Sequence, residues 1–172
     1  MQTSAARNVI YQMVHQNPQT AAELAMGMPS STARNEMLGN IASQWAANDV
    51  NAAVQWVKQL PEGGGKDHAI RQLSHQWAQA DPTAAVAFGM SLPAGNLQRD
   101  FLGNVAQQWA EQDARTAATW ATQLPEGELR QQALANVARS WGQYAPRDAA
   151  QYVASLPVGE VQEKAAGAVV SS

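Results

Sequence analysis

A period of 32 residues runs through this chain without insertion or deletion. Trp45, Trp77, Trp109 and Trp141 keep it, as do Pro29, Pro61, Pro93, Pro125 and Pro157. Ala21, Ala53, Ala85, Ala117 and Ala149 form a third column, and Leu24, Trp56, Phe88, Trp120 and Tyr152 a fourth that is always large and apolar. Met28, Leu60, Leu92, Leu124 and Leu156 precede the recurring prolines. A pattern repeated this faithfully specifies one supersecondary unit several times over, and a unit of this size buries its apolar face only by stacking on its neighbours.

Within a unit the apolar spacing is helical. Ile70, Leu73 and Trp77 stand at i, i+3 and i+7, as do Leu102, Val105 and Trp109, and this spacing puts each set on one face of a first helix. Asp49, Asp81 and Asp113 have the chemistry to cap a second helix, and Pro82, like Pro18 after Asn17, suits its first position. Leu-Pro then stops the second helix, because proline disfavours helical geometry in the residue before it. Gly63, Gly95, Gly127 and Gly159 relax the turn, and Gly63-Gly64-Gly65 reads as a slack connection with no P-loop Lys-Ser/Thr after it. The expectation is an all-α fold: a right-handed αα-solenoid of five 32-residue helical hairpins plus a final single helix, forming a single array over residues 1–172. The units are 1–32, 33–64, 65–96, 97–128 and 129–160, with the terminal helix at 161–172. Gly39, Gly103, Ala135 and Gly167 share one column, with Arg7 and Arg71 in alternate units, and the small residues let neighbouring helices approach.

Composition narrows the function. Charged residues make up only 15% of the chain and the formal net charge is −3, which argues against a strongly basic nucleic-acid surface. No apolar run approaches the roughly 18 residues of a membrane span, so no membrane insertion is expected. Without cysteine there is no disulfide framework, thiol nucleophile or Cys-ligated zinc. The start, Met-Gln-Thr-Ser-Ala-Ala-Arg-Asn, lacks the basic-then-apolar pattern of a secretory signal, and the compartment stays open between bacterial cytoplasm and periplasm.

The run Trp77-Ala78-x-x-Asp81-Pro82-x-Ala84-Ala85-x-x-Phe88-x-x-x-Leu92-Pro93 resembles the Trp-Ala-x-x-Asp-Pro-x-Ala-Ala-x-x-Trp-x-x-x-Leu-Pro repeats found in tandem in bacterial proteins. More broadly it is similar to the tetratricopeptide-like helical-repeat superfamily. It departs from true tetratricopeptide repeats in its period, 32 residues here, and in lacking their Leu-Gly-x-x-Tyr element. The resemblance covers essentially the whole chain. It implies a scaffold that binds proteins or peptides and has no catalysis of its own.

If the first helix buries its tryptophan side, the opposite side carries Glu36, His68, Asp100 and Gln132, then Ser43, His75, Gln107 and Arg139, then Ala47, Gln79, Glu111 and Gln143. These columns vary between units, as the reading face of a repeat array does. Beside them runs an amide row, Asn8, Asn40, Gln72, Asn104 and Asn136, followed one turn on by Gln12, Gln44, Gln76 and Gln108. Spaced amides can hold an extended peptide's main chain, or they can bond one another and tie the units together; the second reading is favoured. The candidate partner-binding residues are therefore Asn40, His68, Gln72, His75, Asp100, Asn104, Gln107, Glu111, Asn136 and Arg139. His68 and His75 are about 10.5 Å apart along a helix axis, too far to share a metal unaided. No catalytic or cofactor motif is present, and no catalytic residue, metal or cofactor is assigned. The tryptophans read as core rather than as stacking platforms.

The sequence thus points to a non-enzymatic scaffold for a protein or peptide partner, binding through the exposed face of the first helices. The alternatives are a structural spacer in a larger bacterial protein and an accessory domain of an enzyme. Residues 161–172 match the opening of a further unit, with the tryptophan column falling one residue beyond. Such a helix is either a natural cap that omits its large knob or a piece of a longer array; Ala165, Val169 and Val170 leave an apolar end, which favours the longer array and offers a surface for end-to-end self-association.

Overall fold

A computed structural model describes residues 2–170, with side chains from Asn8 onward. Positions 171 and 172 of the expected terminal helix, and the side chain of Arg7, lie outside the described residues. The fold is all-helical: α1 (Gln2–Gln16), α2 (Pro18–Met26), α3 (Thr32–Asn48), α4 (Val50–Gln59), α5 (Gly64–Ala80), α6 (Pro82–Ser91), α7 (Asn96–Gln123), α8 (Glu128–Tyr144), α9 (Pro146–Ser155) and α10 (Glu160–Val170). No strand occurs among the described residues. Long helices begin at Thr32, Gly64, Asn96, Glu128 and Glu160, so the starts keep the 32-residue period of the sequence. Only α7 runs through a hairpin bend, and its backbone leaves helical geometry at Asp113 (φ −150°, ψ 86°).

The cause is local. Asn17, Asp49, Asp81 and Asp113 each accept a hydrogen bond from the backbone N–H three residues on, at 3.1, 2.9, 2.9 and 3.1 Å, which satisfies one of the donors left free at a helix start. The fifth bend has Ala145 in that place and no side-chain cap. Leu60, Leu92, Leu124 and Leu156 each end a second helix in an extended conformation, as a residue before proline must. Gly63, Gly127 and Gly159 then take φ of 139°, 146° and 154°, where a side chain would be strained.

The chain divides into two compact units, residues 1–80 and 81–172. In the first, α1 packs on α2 and α3, α2 on α3, α3 on α4 and α5, and α4 on α5. Its core joins Ile10, Val14, Ala21, Ala25, Met37, Leu38 and Ile41, flanked by the partly buried Met13, Trp45 and Trp56. In the second, α6 packs on α7, α7 on α8, α8 on α9 and α10, and α9 on α10. Phe101, Leu102, Val105, Leu134 and Val137 are fully buried there. Across three of the bends an aromatic residue of the first helix meets one of the second: Trp45 and Trp56 have ring centroids 5.6 Å apart, Trp109 and Trp120 5.9 Å, and Trp141 and Tyr152 5.3 Å. Trp77 and Trp141 are buried, while Trp45, Trp56, Trp109 and Trp120 are half-buried.

Gly64 and Gly65 are not a slack connection. Both lie in the first turn of α5, where a β-carbon on Gly64 would stand 2.8 Å from Asn35 Nδ2 and one on Gly65 would stand 2.7 Å from Leu38 Cδ1. Lacking side chains, they let the start of α5 close on α3.

Candidate functional site

Adjacent first helices bring the candidate residues together within each unit. Asn40 lies on α3 and His68, Gln72 and His75 on α5; Asp100, Asn104, Gln107 and Glu111 lie on α7, and Asn136 and Arg139 on α8. Asn40, Gln72, His75, Asp100, Asn104, Gln107, Glu111 and Arg139 are exposed. Asn136 and His68 are half-buried, and for His68 this corrects the expectation of an outward-facing column. Its ring fills the space that a β-carbon at Gly39 would need, and Gln72 Cγ stands 3.0 Å from the same point. The glycine column is therefore a notch that receives the next first helix. At Gly103 the notch takes Asn136, whose Nδ2 lies 3.0 Å from the β-carbon position and donates to the Gly103 carbonyl at 3.1 Å.

The amide row divides in the same way. Asn40 Nδ2 donates to Tyr11 Oη at 3.0 Å and Gln76 Nε2 to Ser43 Oγ at 3.2 Å, so both bond across a repeat boundary, as Asn136 does. Gln108 is only 6% exposed and donates to Glu111 at 2.9 Å. Asn8, Gln12 and Gln44 are exposed, so the row is not uniformly semi-buried.

A second set of links escaped the sequence reading. Arg99 pairs with Glu128; Gln131 Nε2 donates to Glu160 at 3.2 Å, and Lys164 donates to Gln131 Oε1 at 2.6 Å. These partners are 29 or 33 residues apart, one period minus or plus a fraction of a turn. Lys164 also bonds Glu160 at 2.9 Å, and chiefly for that reason the Glu160 carboxyl sits below the usual range. A third set is a column of long donors at the start of each first helix. Lys66 Nζ donates to the Lys58 carbonyl at 3.3 Å; Gln98 Nε2 to the Gly89 and Leu92 carbonyls at 3.1 and 3.0 Å; Gln162 Nε2 to the Val153 carbonyl at 3.3 Å. Arg34, in the same column, reaches the Met26 sulfur at 3.5 Å. Each ties a first helix to the last turn of the second helix before it, where the Gly89 and Val153 carbonyls also accept the backbone N–H of Leu92 and Leu156. The recurrence of Arg34, Lys66, Gln98, Arg130 and Gln162 was visible in the sequence as a signal.

Four clefts lie away from the candidate residues, and none of the ten lines any of them. One of about 90 Å³ lies under the Pro61–Gly65 turn and one of about 280 Å³ between Arg130 and the Pro157–Glu160 turn. One of about 420 Å³ opens between the second arm of α7 and α9, lined by Arg115, Thr119, Asp148 and Tyr152. Burial pushes the Tyr152 hydroxyl up in pKa, against the opposing pull of the Arg130 charge, and that hydroxyl has no hydrogen-bond partner. The fourth, about 320 Å³ and mostly apolar, lies between α9 and α10.

Among the described residues no group of three or more His, Asp or Glu is placed to hold a metal ion. No described helix is long and apolar enough to cross a membrane. The fold and site define an all-helical protein whose polar columns recur on adjacent first helices. No protein-family model, curated protein or solved structure matches this chain.

Proposed function

We propose that this chain is a non-enzymatic helical-repeat scaffold of the solenoid type, built from five hairpins, that binds a protein or peptide through the exposed face of its first helices. The observation that carries this reading is the exposure of eight candidate side chains on first helices that pack on one another within each unit, α3 on α5 in the first and α7 on α8 in the second. The resemblance to bacterial tandem repeats agrees with it. Asn40 and Asn136 are occupied in bonds between repeats, so the proposed contact positions, taken unit by unit, are Gln72 and His75 in the first unit, and Asp100, Asn104, Gln107, Glu111 and Arg139 in the second. The exposed positions carry both signs of charge, acidic Asp100 and Glu111 on α7 and basic Arg139 on α8, which favours a partner with both signs of charge over a polyanion.

Peptides selected from a displayed library against the wild-type chain test the reading when they are titrated against a variant carrying Asp100→Lys, Gln107→Glu and Glu111→Lys. All three positions are exposed, and Glu111 gives up the bond it accepts from Gln108, so the melting temperature should fall modestly while affinity falls by about tenfold or more. Equal affinity for both proteins would sink the assignment of this face.

A further inference from the structure

We propose that the cleft between Arg130 and the Pro157–Glu160 turn binds a small monocarboxylate with an apolar tail, whose carboxylate the Arg130 guanidinium holds. One column separates this arginine from its counterparts. At the start of the first helices it reads Arg34, Lys66, Gln98, Arg130 and Gln162. Lys66, Gln98 and Gln162 each donate to a main-chain carbonyl of the hairpin before. Arg130 makes no such bond. Its Nε is buried without a partner, and among the described residues its one interaction is the pull of its charge on the Tyr152 hydroxyl. A half-buried guanidinium has donors to satisfy, and buried polar groups are nearly always paired, so an acceptor from outside the chain fits here.

The cleft belongs to the junction of two consecutive repeats, since its counterpart in the first unit lies between Arg34 and the Pro61–Gly65 turn. There Arg34 Nε is also buried without a partner, but Nη2 reaches the Met26 sulfur at 3.5 Å and the cleft is only about 90 Å³. In the second unit Thr122 holds the column of Met26 and lines the cleft. It is the shorter side chain, and its hydroxyl donates to the Thr119 carbonyl at 2.7 Å, so it leaves Arg130 alone beside about 280 Å³ of space. That volume lies just under the roughly 300–1,000 Å³ of sites for drug-sized ligands, which suits a small molecule. A carboxylate meets a guanidinium through two parallel hydrogen bonds, and Leu156 and Val161 give the tail an apolar wall. Glu126 and Glu160 also line the cleft, and Glu160 is paired with Lys164 at 2.9 Å. These two acids disfavour a phosphate or a polyacid, whose extra charge Arg130 cannot match. None of the first-helix candidates lines the cleft, so the site is separate from the proposed contact face.

NMR titration of the whole chain with isovalerate, hexanoate and phenylacetate, each to about 10 mM and beside its neutral amide, tests the proposal. At least one acid should shift the Arg130 side-chain N–H signal saturably, and its amide should bind about tenfold more weakly or not at all. Inorganic phosphate should bind more weakly than that acid. Arg130→Gln should lose the preference for acid over amide while its melting temperature holds, because glutamine is what Gln98 and Gln162 already place in this column. The variant with Asp100→Lys, Gln107→Glu and Glu111→Lys should bind the acid as the wild type does, which keeps this site distinguishable from the first-helix face. N-acetylleucine carries the carboxylate of a peptide end: binding tighter than isovalerate assigns the cleft to chain termini, and weaker binding assigns it to free acids. Failure of all three acids to saturate the signal overturns the proposal, as does an acid preference that survives in Arg130→Gln.

Discussion

The hairpin of α1 and α2 and the hairpin of α3 and α4 share one 32-residue frame and fill it differently. In the second, Trp45 and Trp56 meet across the bend at 5.6 Å. In the first, the same columns hold Met13, half-buried, and Leu24, 45% exposed. The turns differ as well. Ser31 follows the first hairpin in an extended conformation and caps α3 through its hydroxyl, which accepts from Arg34 N–H at 3.2 Å, whereas Gly63 follows the second at φ 139°. The frame thus needs bulk at two facing points and a stop at the turn, and more than one residue type supplies each. What changes is how much apolar area the bend encloses, and therefore how firmly the hairpin is held.

Three substitutions and conditions would break or sharpen that contrast. Trp45→Ala should cost about 3 kcal/mol, and Met13→Ala noticeably less, in urea unfolding of the two variants. Equal losses would mean that the aromatic pair adds nothing to the second hairpin. Grafting the pair, Met13→Trp with Leu24→Trp, should stabilise the first hairpin by about 1 kcal/mol and slow hydrogen exchange in α1 and α2. The smallest effect is at the caps. Asn17 is neutral, but the Asp113 carboxylate lies below its usual pKa because the Thr116 hydroxyl and N–H donate to it. Its folded pKa being the lower one, its stabilisation is full above the unfolded value and is lost as pH falls through the folded value. The melting-temperature gap between wild type and Asp113→Asn should therefore close on acidification, while Asn17→Ala keeps a constant gap.

Sequence periodicity reached the elements because their causes are local. A side chain three residues before an N–H, or a leucine before a proline, decides a helix end without help from elsewhere, and Asn17, Asp49, Asp81 and Asp113 could be named as caps directly. Side-chain placement on the first-helix face was only partly legible. A wheel assigns His68 to the outside, but the empty space over Gly39 draws its ring inward, and that space belongs to another helix. The same holds for Gly64 and Gly65, whose role depends on Asn35 and Leu38. The Arg99–Glu128 and Gln131–Glu160 pairs depend on the axial offset between neighbouring helices, which a period of 32 does not contain.

The donor column of Lys66, Gln98 and Gln162 has a consequence for how such a chain can change length. Each reaches a main-chain carbonyl, a group that every residue carries, rather than a matching side chain. A junction written in those terms does not record which unit came before it. Units could therefore be deleted, duplicated or exchanged in whole multiples of the period with this tie intact, which makes the chain modular for a protein engineer as well as repetitive.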